Sequence, residues 1–233
     1  MRNPIWLALA GLGLAACGST GSGSLLDAGE ATDAGSCAVG HRLDTCGHCR
    51  PDHFADRVVS FTAGPNAGFG QDRFPCIVLG PPEGGGQQAG SLDVLSLGKE
   101  GEIVLAFDDV EIVDGVGPDL LVFENPFQGY VETGYVAASE DGLTWKEWPC
   151  KPTDADGGYP GCAGVNPVNS NSKNGIDPTD VSKAGGDAFD LADLGLARAR
   201  FIRIRDSGLN PYAGISGGFD LDAVAAVNSA PRQ

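Results

Sequence analysis

Positive charge is scarce in this chain: 15 Lys and Arg stand against 31 Asp and Glu, a formal net charge of -16. Such a chain is repelled by nucleic acid and by anionic lipid, so neither is expected as a partner. Cations, neutral sugars and basic proteins suit it better. Long apolar runs are also lacking. The run from Ile5 to Ala16 holds about a dozen residues, where a membrane-spanning helix needs roughly 20. Long helical patterns are hard to find. No Gly-x-Ser-x-Gly elbow, phosphate-cradling glycine loop or zinc-protease helix motif occurs, and no catalytic activity is expected. What the chain does hold in quantity is turn formers, 36 glycines and 15 prolines, which argue for many short elements joined by tight turns.

The first apolar run ends in Leu14-Ala15-Ala16-Cys17, with Arg2 as the cation ahead of it. This arrangement resembles the signal peptide and lipobox of bacterial lipoprotein precursors. The resemblance implies removal of residues 1–16 and acylation of Cys17. Two or three acyl chains anchor a protein stably where one does so only marginally. Gly18 in place of an aspartate further implies the outer membrane within that family. Residues 17–36, rich in Gly, Ser, Ala and Asp, read as a flexible tether. A Cys/His-rich segment follows over 37–54, and the folded domain is expected over 55–229.

Six cysteines remain after Cys17: Cys37, Cys46, Cys49, Cys76, Cys150 and Cys162. An even number in an exported chain points to disulfides, and Cys150 with Cys162, bracketing a loop of Pro, Asp and Gly, form the simplest local pair. The other four allow three connectivities. Cys46-Gly47-His48-Cys49 carries the letters of a thiol-redox site, but no strand-then-helix pattern surrounds it. His41, His48 and His53, set among Cys37, Cys46 and Cys49, leave a zinc knuckle as a further option.

From Arg57 onward, strand-length apolar segments recur between turns: Val58 to Thr62, Cys76 to Leu79, Leu92 to Leu97, Ile103 to Phe107, Leu120 to Phe123, Tyr135 to Ser139 and Phe201 to Ile204. Many short strands without intervening helices predict an all-β antiparallel sandwich. Ile202-Arg203-Ile204-Arg205 alternates most cleanly, isoleucines inward and arginines toward solvent. Asn166 to Lys183 has no apolar pattern; a loop that long is either a ligand-facing surface or disordered.

Two segments carry a resemblance to a known family. Val136-Ala137-Ala138-Ser139-Glu140-Asp141-Gly142-Leu143-Thr144-Trp145 resembles the hairpin of discoidin, or coagulation-factor type C, domains, and Ala199-Arg200-Phe201-Ile202-Arg203-Ile204 resembles their later strand. The chain lacks the terminal cysteine pair of those domains. The resemblance implies a galactose-binding-like jelly roll. Phe219-Asp220-Leu221-Asp222-Ala223-Val224 is similar to the closing strand of related carbohydrate-binding modules, which implies an acidic residue holding a structural calcium. Asp114 through Asn125, with Gly185-Gly186-Asp187-Ala188-Phe189-Asp190-Leu191, is similar to bacterial cell-surface proteins of this broad kind.

Three groups of glycine-flanked carboxylates fit a hard cation by chemistry alone, because such turns let carboxylate and carbonyl oxygens converge. They are Asp114 with Asp119, Asp187 with Asp190 and Asp193, and Asp220 with Asp222. A Ca²⁺ site is expected from among Asp114, Asp119, Asp187, Asp190, Asp220 and Asp222, with Glu124 at the end of an apolar strand as a further candidate. Trp145, Trp148, Tyr130, Tyr159 and Tyr212 could offer faces for sugar stacking. The function expected is a lipid-anchored, calcium-stabilised binding module of the cell envelope that recognises carbohydrate or a protein partner. The alternatives are a secreted enzyme, either a carboxylate-based hydrolase or a thiol oxidoreductase using Cys46 and Cys49, and a purely structural envelope protein.

Overall fold

The computed structural model describes residues 37–38, 41–50, 52–210 and 214–232. The expected signal peptide, the expected lipidation site Cys17, the expected tether of residues 17–36 and Tyr212 lie outside them. Among the described residues there is no α-helix. Three short 3-10 turns occur, at Gln71–Arg73, Cys76–Val78 and Leu191–Leu194. The strands are β1 (Arg42–Leu43), β2 (Cys49–Arg50), β3 (Arg57–Thr62), β4 (Leu95–Ser96), β5 (Glu102–Ala106), β6 (Val110–Val113), β7 (Leu120–Phe123) and β8 (Gly134–Ser139). They continue with β9 (Lys146–Glu147), β10 (Asp187–Phe189), β11 (Arg198–Ala199), β12 (Phe201–Asp206), β13 (Asp220–Leu221), β14 (Ala223–Ala226) and β15 (Ser229–Pro231). Every strand pair is antiparallel.

The largest sheet runs β3-β5-β12-β8-β9. Its centre is β12, where Ile202 faces Leu105 and Ala138 and Ile204 faces Ile103 and Val136, all six fully buried. The alternate residues turn outward: Arg203 lies over the Trp145 ring at 4.8 Å and Arg205 over the Tyr135 ring at 4.4 Å. Period-two burial thus sets the register, since a one-residue slip would bury both arginines.

A second sheet, β10-β7-β14, shares the main core. Here β7 is buried along its whole length. Leu120 and Val122 join the main core, whereas Leu121 and Phe123 join a second cluster with Phe54, Val168, Ala184, Ala223 and Ala225. A strand covered on both faces needs an unbroken apolar run, which is what Leu-Leu-Val-Phe supplies. The alanines of β14 opposite it make room for those larger side chains. Smaller sheets, β11-β6-β15, β13-β4 and β1-β2, close the edges.

Two expected strands differ. Cys76 to Leu79 forms a 3-10 turn, with Val78 N–H donating to the Pro75 carbonyl and Leu79 N–H to that of Cys76. From this turn Ile77, Val78 and Leu79 are buried in the main core, so the run of hydrophobic letters did not need a sheet. Of the segment from Leu92 to Leu97 only Leu95–Ser96 pairs as a strand; Val94 and Leu97 on either side are buried without joining it, and Leu92 is exposed.

The disulfides are Cys37–Cys49, Cys46–Cys76 and Cys150–Cys162. Cys46 and Cys49 therefore bond to different partners and do not form a redox couple with each other. Every cysteine available to a zinc knuckle is bonded to sulfur instead. Cys46–Cys76 ties the Cys/His-rich segment to the body, and Arg50 reinforces the join. Its guanidinium, 2% exposed, meets the carboxylates of Asp44, Asp52 and Asp56 and donates to the carbonyls of Phe54 and Ala55.

The long loop is held by its own polar side chains. Asn171, Asn174, Asp177 and Asp180 each accept a backbone N–H two residues on, forming the side-chain-capped turns typical of Asn and Asp. Val168 and Ala184 anchor it in the second cluster, and Ser170 O and Val168 O accept from Gly84 and Gly86.

Candidate functional site

Glu124 directly follows β7, Glu132 lies two residues before β8, and Asp220 opens β13. These strands belong to three different sheets, so the three carboxylates converge where the sheets meet. One oxygen from each lies within 4.8 Å of the others. If all were ionised, each pair would repel by about 3 kcal/mol at an effective dielectric near 20. No ion pair among the described residues involves any of them.

Each carboxylate is only partly satisfied. Asp220 faces Ser96 across the β13–β4 pair and accepts from its hydroxyl; the Asn210 side-chain amide donates to Glu132. Glu124 Oε1 accepts from the Asp220 backbone N–H at 3.2 Å. Glu124 Oε2 is buried with no hydrogen-bond partner, although the residue is only 1% exposed. A buried carboxylate oxygen without a donor is costly, and it is the kind of atom that a cation satisfies.

All three carboxyls hold their protons more tightly than usual. Burial pushes Glu124 well above the ordinary range, and the charges of Asp220, Glu132 and Asp187 push it further. Burial raises Glu132 to about 9, assisted by Asp220 and Asp206. Asp220 rises to about 7 through burial and the charge of Asp206, against the pull of the Ser96 hydroxyl.

The trio borders a cleft of about 810 Å³, which lies within the usual range for small-molecule sites. Phe127, Tyr130, Tyr159, Asn125 and Asn210 also line it. Phe127 and Tyr130 close a tight turn in which Tyr130 N–H donates to the Phe127 carbonyl; Gly129 has φ 88°, a conformation that an L side chain resists. The turn stacks the two rings with centroids 4.6 Å apart and leaves Tyr130 61% exposed.

The other expected ligands have different surroundings. Asp114, Asp119 and Asp190 also converge within 4.8 Å, but Asp114 is exposed and both oxygens of Asp119 already accept from donors. Asp119 accepts from the N–H groups of Gly115 and Leu191 and from the Asn228 amide, and Asp190 caps the turn at Leu191 by accepting from Ala192. Asp187 accepts from the N–H groups of Gly164, Val165 and Asn166 and from the Asn166 amide, while burial lifts its carboxyl to about 6. Asp222 accepts from Glu83 N–H. Of the six expected aspartates, Asp220 alone belongs to the trio.

Glu132 and Phe127 were not anticipated from the sequence. Of the expected aromatics, Tyr130 and Tyr159 line the cleft. Trp148 is a core residue whose indole donates to Asp190 O, and Trp145 lies beneath Arg203. The long loop from Asn166 to Lys183 does not line the cleft.

Tyr159 sits in the Cys150–Cys162 loop at φ 53°, in the left-handed region that non-glycine residues avoid at a cost of about 1–2 kcal/mol. We expect Tyr159→Gly to hold or raise stability, by up to about 1 kcal/mol. Thermal melts check it, and a clear drop in Tm would show that ring packing outweighs the backbone strain. No protein-family model matches the chain, nor does any curated protein.

Proposed function

We propose that the protein is a calcium-dependent binding module of the cell envelope, with a galactose-binding-like jelly roll as its frame. The ion is held by Glu124, Glu132 and Asp220. The observation that carries this reading is Glu124 Oε2, buried and without a donor, on a side chain that meets Glu132 and Asp220 in a cluster of acids with which no lysine or arginine among the described residues pairs. An all-oxygen set with no nearby imidazole or thiolate suits a hard cation. Calcium suits it better than magnesium, because two long glutamates and an aspartate from separate elements make an irregular shell and magnesium demands a near-ideal octahedron. The lipobox-like segment ending at Cys17 supports export and anchoring, and the three disulfides fit an oxidising compartment.

Calorimetric titration of the chelator-stripped full chain with calcium tests the assignment. One site is expected, and Glu124→Gln, which keeps the shape and removes the charge, should weaken it by about 100-fold or more. Unchanged affinity in that variant would place the ion elsewhere.

A further inference from the structure

Resting on that cation reading, we infer that the cleft's ligand is a neutral saccharide, gripped through adjacent hydroxyls that coordinate the bound calcium, with one sugar face lying on Tyr130, whose ring is backed by Phe127. Three features lead there.

The first is coordination number. Calcium takes about 6–8 oxygens. Three carboxylates supply at most about six if all bind through both oxygens. One oxygen of each is already shared with a donor: Glu124 with Asp220 N–H, Asp220 with Ser96 and Glu132 with Asn210. Coordination positions therefore remain, and they open toward the cleft that all three residues line.

The second is charge. Three carboxylates around a divalent ion leave about one negative charge, in a chain already at -16. A uronate or phosphate is repelled there, and a basic group competes with the ion itself. Hydroxyl oxygens carry no such penalty. A vicinal pair presents two of them at a spacing one ion can span.

The third is shape. A stacked aromatic pair on a tight turn, with Tyr130 mostly exposed, offers a flat apolar face beside the ion. Sugar rings have one face of C–H groups that suits such a surface, while a cleft of about 810 Å³ accommodates more than one ring.

The test uses terbium as a luminescent substitute for calcium in the full chain, with methyl α-mannoside and methyl β-galactoside as probes. Luminescence lifetimes in light and heavy water count the waters on the ion. A binding sugar is expected to remove about two of them. Calorimetry in calcium should show sugar binding that chelation abolishes and that Tyr130→Ala weakens by about tenfold, or about 1.4 kcal/mol. Terbium bound with an unchanged water count and no sugar heat would overturn the inference and leave the cation reading intact. Failure to bind terbium or calcium would overturn both. Tighter capture of methyl glucuronide than of the neutral glycosides, capture of a basic peptide in their place, or release of reducing sugar from a glycan would each replace the inference.

Discussion

Arg50→Ala is expected to destabilise the fold by about 3–5 kcal/mol. The guanidinium is 2% exposed and forms ion pairs with Asp44, Asp52 and Asp56 at once. Its removal leaves three poorly solvated carboxylates facing one another. It also strips donors from the Phe54 and Ala55 carbonyls. Those carbonyls hold the segment that bridges Phe54 to Ala225 and lets His53 O accept from Ala226 N–H, so the damage should reach β14. In a chain of this size about 1 kcal/mol shifts Tm by roughly 2–4 °C, so a fall of about 10 °C is expected. Asp52→Asn alone should cost far less, since Asp44 and Asp56 still neutralise the guanidinium. A loss below about 1 kcal/mol in Arg50→Ala would mean that water reaches the carboxylates once the arginine is gone.

Local patterning made much of this fold legible. Ile202 and Ile204 alternate with arginines, and the alternation alone orients β12. The run Leu120 to Phe123 reads as a strand, and its lack of alternation is the mark of burial on both faces. Proximity made Cys150–Cys162 readable, whereas Cys46–Cys76 depends on a turn brought near from elsewhere in the chain.

The candidate site was only half legible, and for a physical reason. Asp114, Asp119, Asp187, Asp190, Asp220 and Asp222 share the same glycine-flanked appearance. What separates them is whether distant backbone N–H groups have already claimed their oxygens: Gly164 through Asn166 claim Asp187, and Leu191 claims one oxygen of Asp119. Short-range sequence carries no trace of that competition. Glu124 did leave a signal, a charge set directly after an apolar strand. Glu132 left none, because its burial comes from the convergence of separate sheets. The long polar loop carries another lesson: its Asn and Asp residues cap turns that order it, and it stands away from the cleft that the trio borders.

Chelator-treated protein should lose stability steadily from about pH 5 to pH 9, and calcium should restore more of it at pH 8 than at pH 5. The sign follows from the direction of the shifts. Glu132 rises from 4.5 to about 9 and Asp220 from 3.8 to about 7, with Glu124, Asp187 and Asp222 displaced the same way by burial. In that window the native state binds more protons than the unfolded chain. Raising the pH therefore favours unfolding, and the stability present below the unfolded pKa values is lost as pH climbs through the folded ones. The groups facing the trio, Asp206 and Asp187, are acids as well, so no neighbouring cation among the described residues reverses the trend. In the proposed function a bound calcium takes the place of the protons. Its binding should release them, its affinity should rise with pH, and at about a thousand times its Kd it should contribute about 4 kcal/mol. Thermal melts across pH, with chelator and with calcium, measure the whole relation. Glu132→Gln should flatten the chelator curve and shrink the calcium response together. Parallel curves with and without calcium would mean that the three carboxylates do not share an ion.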